Sequence, residues 1–488
     1  MKRRRLANLL LFVVFLSACS DVPEKGSEKI SKIPKINPDY TDLTIPFNIA
    51  PLNFAIEETG DAYFVEIGNQ AKTFIQISSS DGIIKIPEKK WKQFLAENKN
   101  GQIYFTVSVK KDGKWQQYQS FVNDISEAPV DPYLYYRLLY PGYESWTEIS
   151  IMQRSMESFK ERTVVENNVV DQNCVNCHSF NQQNPDDFMF HMRGSMGGTY
   201  FVSDGELEKF NLKTREMENG AVYPRWHPSG RYVAFSSNKV VQQFHSSAKK
   251  KIEVSDLNST LVLFDRDKNE MLDIPVNPKK LYMDTYPEWS PDGKYLYFCR
   301  ARQIEPGYDY TETKYDLYRV QFNPDSRKFG EAELVFDAAA NSKSVSFPRV
   351  SPDGKSLVFT YHDYGCFPIW HKEADLYCVN LENLQTTKLD LNSEYTDSYH
   401  SWSSNGKWLV FSSKRGDGLS ARPYISFIDN NGKAHKPFIL PQEDPQFYRH
   451  FLKTFNIPEF AKTEVSFTPG ELREAAAKTA IQPSWSTN

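Results

Sequence analysis

Four stretches of this 488-residue chain repeat one pattern of strand, turn and strand. In each, an aromatic residue leads into a turn centred on Pro-Asp-Gly or a near variant, and an apolar exit strand follows: YPRWHPSGRYVAFSS from 223, YPEWSPDGKYLYFCR from 286, FPRVSPDGKSLVFTY from 347 and YHSWSSNGKWLVFSS from 399. Proline presets the first turn position and glycine takes the left-handed one. A second hairpin follows each stretch, so each unit predicts a four-stranded sheet. Such sheets cannot bury a face alone, and radial stacking buries all of them.

The repeats resemble the PD40 or WD40-like repeats of TolB-type β-propellers, because the SPDGKxLxF core recurs. The resemblance implies a TolB-like β-propeller over residues 201–470. A degenerate further blade is expected at 197–217, GGTYFVSDGELEKFNLKTREM, and the segment TEVSF, 463–467, is interpreted as a strand that closes the ring. We therefore expect five or six blades.

The remaining composition agrees with a mainly β fold. Aromatic residues make up 14% of the chain, which favours strands over helices. Residues 41–130 alternate apolar and polar residues in six or seven short runs, with a hairpin turn at KKDGKW (110–115), and predict a β-sandwich-like domain. Residues 471–488 are interpreted as a C-terminal tail.

The N-terminus has the layout of a secretory signal. Four basic residues precede an apolar run that is too short to remain as a membrane span. The segment Leu16-Ser17-Ala18-Cys19 resembles the lipobox of bacterial lipoproteins, which implies a signal peptide over 1–19 and a lipid on Cys19. We expect a cell-envelope, outer-membrane lipoprotein with a polar tether over 20–40. The sequence does not distinguish the periplasmic side of that membrane from the cell surface. The formal net charge of -4 speaks against nucleic acid as a partner.

Residues 131–200 contain the most specific chemical motif. The segment YESWTEISIMQRSMESFKER (143–162) carries Ile149, Met152, Met156 and Phe159 at helical spacing and predicts an amphipathic helix, and Cys174-Val175-Asn176-Cys177-His178 follows it. A c-type haem needs two thiols spaced for two vinyl groups and a histidine directly after them, and Cys174, Cys177 and His178 meet all three demands. The sequence thus predicts one covalent haem c in a helical segment.

Three other interpretations of this motif stay open. A zinc site would need four ligands, and His191 would join Cys174, Cys177 and His178. A redox dithiol belongs at the start of a helix in an α/β domain, and no such domain is visible. A disulfide between the two close cysteines is the third.

The mature chain also resembles a family of Bacteroidetes lipoproteins that place a CxxCH segment ahead of a TolB-like propeller. The residues that carry this likeness lie at 46–54, 131–143, 174–180 and 189–194. Candidates for a distal iron ligand lie in FMFHMRGSM: Met189, His191, Met192 and Met196. His191 is favoured because MFHMRG matches the family stretch, and Arg193 is a candidate partner of a haem propionate.

The residues elsewhere give no enzyme motif. There is no nucleophile elbow, phosphate loop or HExxH, and the polar residues of the repeat loops are scattered: His362, Asp363, His371, Glu373 and His400. A disulfide is expected between Cys366 and Cys378, with Cys299 alone.

Two functions remain. The first is an envelope monohaem cytochrome that transfers electrons, with the propeller docked on an unknown redox partner or envelope protein. The alternative is a surface or periplasmic propeller that binds protein or glycan, with the CxxCH segment structural or zinc-binding.

Overall fold

The computed structural model describes residues 22–23, 27–143, 148–170, 173–203, 205–245, 250, 252–305 and 307–486. The protein is mainly β, as the sequence predicts. Its α-helices in this described part are short: α1 (Glu88–Glu97), α2 (Phe447–His450) and α3 (Pro469–Ala477). None of the helices within these ranges has the length and apolar character that a membrane crossing requires. The predicted lipidation site, Cys19, lies outside the described residues.

The N-terminal region forms two sheets around one core. Its strands in chain order are β1 (Glu28–Ile30), β2 (Ile36–Asn37), β3 (Thr44–Pro46), β4 (Phe54–Ile56), β5 (Ala62–Gly68), β6 (Thr73–Ser79), β7 (Ile83–Ile84), β8 (Gln102–Lys111), β9 (Lys114–Tyr118) and β10 (Phe121–Ser126). Strands β2, β4 and β7 make the small sheet, and the other seven make the large one. Helix α1 buries Trp91, Phe94 and Leu95 against this core. The hairpin predicted at 110–115 is present, since Lys111 pairs with Lys114.

Part of the predicted tether belongs to this region. Strand β1 pairs with β9 in parallel, and β2 pairs with β4. The tether prediction is therefore wrong for these two segments, where the polar run 28–37 completes two sheet edges.

Six further sheets follow in the described chain, each built on four strands, and one of them gains a fifth strand near the C-terminus. We number them by position: sheet 1, β11 (Tyr133–Leu139), β12 (Ser150–Ser155), β13 (Glu161–Glu166) and β34 (Thr454–Ala461); sheet 2, β14 (Cys174–Asn181), β15 (Asn184–Arg193), β16 (Gly198–Ser203) and β17 (Glu206–Phe210); sheet 3, β18 (Ala221–Trp226), β19 (Tyr232–Phe244), β20 (Ile252–Asp265) and β21 (Glu270–Asp273); sheet 4, β22 (Tyr282–Trp289), β23 (Tyr295–Arg302), β24 (Asp316–Asn323) and β25 (Lys328–Phe336); sheet 5, β26 (Ser344–Val350), β27 (Ser356–His362), β28 (Asp375–Asn380) and β29 (Thr386–Lys388); sheet 6, β30 (Asp397–Trp402), β31 (Trp408–Ser413), β32 (Arg422–Phe427) and β33 (Phe438–Ile439). The four strands given for each sheet are antiparallel, and the arrangement is propeller-like.

One edge strand of each sheet contacts the edge strands of its neighbours. We call β14, β18, β22, β26, β30 and β34 the inner strands. Each contacts the next in that order, from β14 to β34. Beside the end of β34, the Lys462 backbone N–H donates to the Gln183 carbonyl that follows β14, at 2.9 Å. Sheet 1 takes its inner strand from the C-terminal part of the chain and its three other strands from residues 133–166.

The helix predicted over 143–162 is not formed in the described part of that segment. Residues 150–155 and 161–166 are the strands β12 and β13, and β12 pairs with β11 from Ser150 to Ser155. The apolar residues also alternate, since Ile149 and Ile151 are both buried in one cluster with Tyr135. Pairing with β11 selects the period of two over the helical one.

The C-terminal segment is folded against the sheets and is not a free tail. Helix α3 begins with a capping box in which Thr468 and Glu471 exchange hydrogen bonds. Beyond it, Ser484–Trp485 forms a short strand, β35, that pairs in parallel with β21. The strand predicted at 463–467 is absent, and β34 takes its place beside β11.

Candidate functional site

Every inner strand carries the same irregularity. At one point two of its residues lie opposite a single residue of the paired strand, which is a β-bulge. The doubled pairs are Cys177-His178, Tyr223-Pro224, Tyr286-Pro287, Phe347-Pro348, Tyr399-His400 and Ile457-Pro458. The second position is proline in four strands and histidine in two.

The CxxCH segment is thus an inner strand and not part of a helix, so the prediction of a helical haem segment is wrong. Strand β14 pairs with β15, and its Cys177-His178 step occupies the bulge that Tyr223-Pro224 occupies in β18. The side chain of Cys177 lies outside the described part of the structure. His400, which is the equivalent of His178 in β30, donates from its Nε2–H to the Val358 carbonyl at 2.8 Å.

The first bulge residue is strained in five of these strands. Tyr223, Tyr286, Phe347, Tyr399 and Ile457 have φ between 49° and 52°. Non-glycine residues enter this region at a cost, and such positions cluster at sites that bind ligands. The four aromatic rings of this group contact one another where the inner strands meet. Their centroids are 4.5 Å apart for Tyr223 and Tyr286, 4.2 Å for Tyr286 and Phe347, and 4.6 Å for Phe347 and Tyr399. We call this group the axial plug.

A cleft of about 340 Å³, partly open to solvent, lies on one side of the plug where the six inner strands end. We call it the axial cleft. Its polar lining is Gln182, Gln183, Arg225, Glu288, Ser290, Arg349, Ser401, Ser404, Glu459 and Lys462. Phe180, Trp226, Trp289 and Trp402 add aromatic edges, and prolines of the repeated turns form part of the rim.

Four of these side chains form a largely buried charge network. Arg225 Nε lies 3.0 Å from a carboxylate oxygen of Glu288, and Arg225 Nη1 lies 3.6 Å from Glu459. Arg349 Nη1 is 3.4 Å from Glu288. Burial raises the pKa of Glu288 and of Glu459 to about 7, against the opposing effect of Arg225. Two arginines and two carboxylates are therefore held together in one small volume.

The network leaves several buried atoms beside the cleft without a hydrogen bond. These are Glu459 Oε2, Arg349 Nε and Ser401 Oγ, all on residues that are less than a tenth exposed. The three atoms have almost no accessible surface, so they lie within the wall of the cleft and are not contact points for a ligand.

His178 lies beside this network. Its side chain is fully buried, Nε2 is 4.0 Å from Glu459 Oε2, and neither ring nitrogen has a hydrogen-bond partner. Burial lowers the pKa of His178 to about 3, so the ring is neutral. The cavity that it lines below Arg225 has room for about one water molecule.

These residues do not fit a covalent haem in this arrangement. A porphyrin spans four pyrrole rings and would have to lie against His178 and both thiols at once. The space at His178 is closed by Tyr223, Tyr286 and Phe347, and Cys174 Sγ accepts a hydrogen bond from Asn176 Nδ2 at 3.1 Å. The covalent haem stays a prediction from the sequence, and the geometry offers no room for it.

The candidate distal ligands are not gathered either. Met189 is buried in a cluster with Phe201, whereas Met192 is buried in the cluster that contains Phe188. His191 Nδ1 is 3.2 Å from the Thr199 hydroxyl, and burial lowers the pKa of this histidine to about 4. Arg193 is exposed at the end of β15. Among the residues that the structure describes, which do not include the side chain of Cys177, no three His, Cys, Asp or Glu side chains form a group that would hold a metal ion. The zinc alternative needs Cys177 and stays a prediction.

The predicted disulfide between Cys366 and Cys378 is not formed. Both are free thiols. Cys366 Sγ donates to Asp256 Oδ2 at 3.0 Å, whereas Cys378 lies on β28 among sheet residues. Cys299 is a free thiol as well, and it is buried.

Some of the scattered loop residues come together in sheet 5. The rings of His362 and His371 are 4.8 Å apart, and His371 Nδ1 is 2.9 Å from Glu373. Lys250 Nζ lies within 3.1 Å of His371, Glu253 and Tyr364, so each of its three hydrogens has an acceptor. These side chains therefore form a hydrogen-bonded cluster in which the lysine has no free donor. Asp363 pairs with Lys343 instead.

The residues of the axial cleft were missed from the sequence, although a signal was present. In the four repeats, the position before the tryptophan or valine reads Arg225, Glu288, Arg349 and Ser401. A polar column inside an otherwise apolar inner strand indicates residues that face a shared interior. Glu459 follows the same rule in the segment IPEF, 457–460, which lacks the turn that marks the repeats.

The bulge gives a first testable prediction. His178→Pro is expected to fold with a loss of less than about 1 kcal/mol, because proline occupies this position in four other inner strands. His191→Pro is the matched control. It lies inside β15 and pairs on both sides, with Asn176 and Thr199, so proline there is expected to cost about 3 kcal/mol or more. Urea unfolding followed by tryptophan fluorescence measures both, and a His178→Pro protein as unstable as the control would contradict the structural role of the bulge.

The sheets and their inward bulges define a mainly β, propeller-like scaffold. No family model matches the chain, and no curated protein does. Among solved structures, a nidogen/laminin complex is similar at 10% identity and a TM-score of 0.39, with 68% of this chain and 100% of that chain covered. A DUF4784 family protein from Bacteroides caccae is similar at 9% identity and a TM-score of 0.32, over 74% and 97% of the two chains. Prolyl oligopeptidase B from Galerina marginata follows at 11% identity and a TM-score of 0.34, over 76% of this chain and 52% of its own. We draw nothing about function from similarities at this level.

Proposed function

We propose that the chain is a ligand-binding, six-bladed β-propeller of the cell envelope, that the axial cleft is its binding site, and that the CxxCH segment is a structural inner strand. The observation that carries this proposal is the convergence of Arg225, Glu288, Arg349 and Glu459, from four different sheets, on one partly open cleft. Its volume of about 340 Å³ lies in the range of small-ligand sites.

Two features support a closed ring around this site. The inner strands contact one another from β14 to β34, and the Lys462-to-Gln183 hydrogen bond joins the segments after β34 and β14. Ligand sites in closed β architectures lie at the mouth of the ring, where side chains from several strands converge. The lipid anchor on Cys19 belongs to this proposal as a prediction from the sequence, and it would present the scaffold at a membrane surface.

No residue of the cleft is proposed to catalyse a reaction. Glu288 and Glu459 are held by Arg225. Of the hydroxyls in the lining, that of Ser290 donates to the Asp292 carboxylate in the same turn, and that of Ser404 donates to the Asp131 carboxylate. The arrangement supports recognition rather than bond cleavage.

The test is to close the mouth of the cleft. Lys462 is exposed at its rim, and Lys462→Trp should fill the entrance without touching the buried network. Lys89→Trp, on the exposed face of α1, is the matched control. We expect at least one compound from a set of neutral sugars, dipeptides, dicarboxylates and nucleotides to raise the melting temperature of the natural protein and of Lys89→Trp, but not of Lys462→Trp. If no compound separates the two variants, the cleft is not a ligand site.

A further inference from the structure

We infer that the axial cleft binds a carboxylate that is attached to an apolar group, a conclusion that rests on the proposed function and names its ligand class. Such a carboxylate belongs either to a small organic acid or to the C-terminal end of a peptide. Three properties of the cleft lead to this ligand: the donors that its arginines leave free, its excess of positive charge and the unequal halves of its rim.

Arg225 and Arg349 each keep one guanidinium nitrogen free for a ligand. Nε and Nη1 of Arg225 face Glu288 and Glu459, whereas its Nη2 has no acceptor among the described residues. In Arg349, Nη1 donates to Glu288 and to a backbone carbonyl, and Nη2 likewise has no acceptor in the described chain. Neither Nη2 atom is closed to solvent, and the two side chains retain 14% and 10% exposure where they line the cleft. These donors therefore face the open space of the cleft.

The lining of the cleft has more positive than negative charge. Its charged residues are three cations, Arg225, Arg349 and Lys462, and two carboxylates, Glu288 and Glu459, which leaves one positive charge. Each carboxylate also accepts a backbone N–H, and burial raises the pKa of Glu288 to about 7, which removes part of its negative charge at neutral pH. The Lys462 ammonium is exposed at the rim and has no ion-pair partner within the described chain. The cleft therefore attracts an anion.

The spacing of the arginines suits a carboxylate. Both guanidinium groups contact the Glu288 carboxylate, at 3.0 Å for Arg225 and 3.4 Å for Arg349, so a single carboxylate is wide enough to bridge them. A second carboxylate can accept from the two Nη2 atoms on the open side, with one oxygen for each arginine. Its single charge equals the excess of the cleft, whereas a phosphate monoester carries nearly two charges at pH 7.

The rim has an apolar half and a polar half. Pro228, Pro291 and Pro352 come from the repeated turns of the neighbouring sheets 3, 4 and 5, and each is partly exposed. Gln182 and Lys462 lie across from them, directly after β14 of sheet 2 and β34 of sheet 1. Since the two arginines belong to sheets 3 and 5, a carboxylate that they bind lies below the prolines. The part of the ligand nearest the rim then packs against apolar rings, which favours an apolar group.

The experiment is calorimetric titration of the full chain. The probes are N-acetylphenylalanine and the tripeptide acetyl-dialanyl-phenylalanine, each as the free acid and as the uncharged amide, together with inorganic phosphate. We expect at least one of the two acids to bind. Its amide should bind about tenfold more weakly or less, because it lacks the charged acceptor for the guanidinium groups.

Variants of the cleft test which residues hold the carboxylate. Arg349→Gln should weaken the acid by about tenfold, and Lys462→Gln by about threefold because this lysine is exposed. Neither variant should change the affinity for the amide. The matched controls are Arg473→Gln on α3 and Lys89→Gln on α1, which change exposed residues outside the cleft and should leave all affinities unchanged. Urea unfolding of each variant separates a change in binding from a loss of fold, and Lys462→Gln keeps the test decisive if Arg349→Gln does not fold.

Each outcome decides between the claims. Acid binding that both cleft variants weaken supports the inference: a tighter tripeptide identifies a peptide C-terminus as the ligand, and a tighter N-acetylphenylalanine identifies a small organic acid. If the amides bind as tightly as the acids and Lys462→Trp prevents this, the carboxylate inference is overturned while the cleft remains a ligand site. If only phosphate binds, if the cleft variants leave acid binding unchanged, or if no probe binds, the inference is overturned. The wider set of compounds tested with Lys462→Trp then decides whether the cleft binds another ligand.

Discussion

Removal of residues 453–488 is expected to abolish cooperative folding of the propeller-like body. This deletion takes away β34, which pairs with β11 from Tyr133 to Leu139 and is the inner strand of sheet 1. Phe455 and Phe460 of β34 are also buried in the core that extends into the N-terminal region. Without β34, the three other strands of sheet 1 lose their inner partner and both flanking inner strands lose a neighbour. Far-UV circular dichroism during urea titration should show a broad, gradual change in place of one transition.

A shorter deletion is the control for this experiment. Removal of residues 469–488 takes away α3 and β35 but keeps β34 and its pairing. We expect a single transition at a lower urea concentration than for the full chain. The reason is that the apolar cluster loses the buried area that Leu472, Ala475 and Ala476 contribute to it. If both deletions gave the same urea unfolding curve, the pairing of β34 with β11 would not be what makes the unfolding cooperative.

The second large effect is expected for Arg225→Ala. Arg225 is the ion-pair partner shared by Glu288 and Glu459, and its Nη1 also donates to Ser179 Oγ at 3.2 Å. Removing one partner from a buried ion pair costs about 3–5 kcal/mol, because the remaining charge is left without compensation. We expect a loss of this size in the free energy of unfolding at pH 8, measured by urea denaturation.

The loss should depend on pH in a defined direction. The pKa values of Glu288 and Glu459 rise from 4.5 to about 7 on folding, so their protonated forms favour the folded state. The associated stability is fully present below about pH 4.5 and is lost as pH rises through 7. Without Arg225 the two pKa values should rise further, so Arg225→Ala should regain most of its lost stability at pH 5. The triple variant Arg225→Ala, Glu288→Gln, Glu459→Gln should remove this pH dependence, and an equal loss at pH 5 and pH 8 would show that charge is not the cause.

The repeats allowed much of the sheet architecture to be predicted. Pro-Asp-Gly turns and apolar exit strands are local signals, and sheets 3 to 6 follow them directly. Sheets 1 and 2 lack the complete turn signature, so their strands were interpreted differently. In 150–155 the helical and strand periods compete, and pairing with β11, a tertiary interaction, decides between them.

The axial cleft was harder to predict, because the strongest motif in the sequence, the CxxCH segment, lies beside this cleft. Cys174, Cys177 and His178 match a haem motif by spacing alone, yet spacing along the chain does not specify the geometry that an extended strand imposes. Arg225, Glu288 and Glu459 carry no motif, since they come together only when separate sheets meet around one axis. The available signal was one aligned position of the four repeats, directly before the tryptophan or valine, which is polar in every repeat.

The pairing of β11 with β34 also has a consequence for biosynthesis. Tyr133 is joined to Ala461 across most of the chain, so this contact cannot form until the last sheet has been made. Contacts between such distant residues slow folding. Until then β11 presents an unpaired edge, which is a template for association with other chains. A nascent molecule of this kind needs shelter for that edge while its final strand is still emerging.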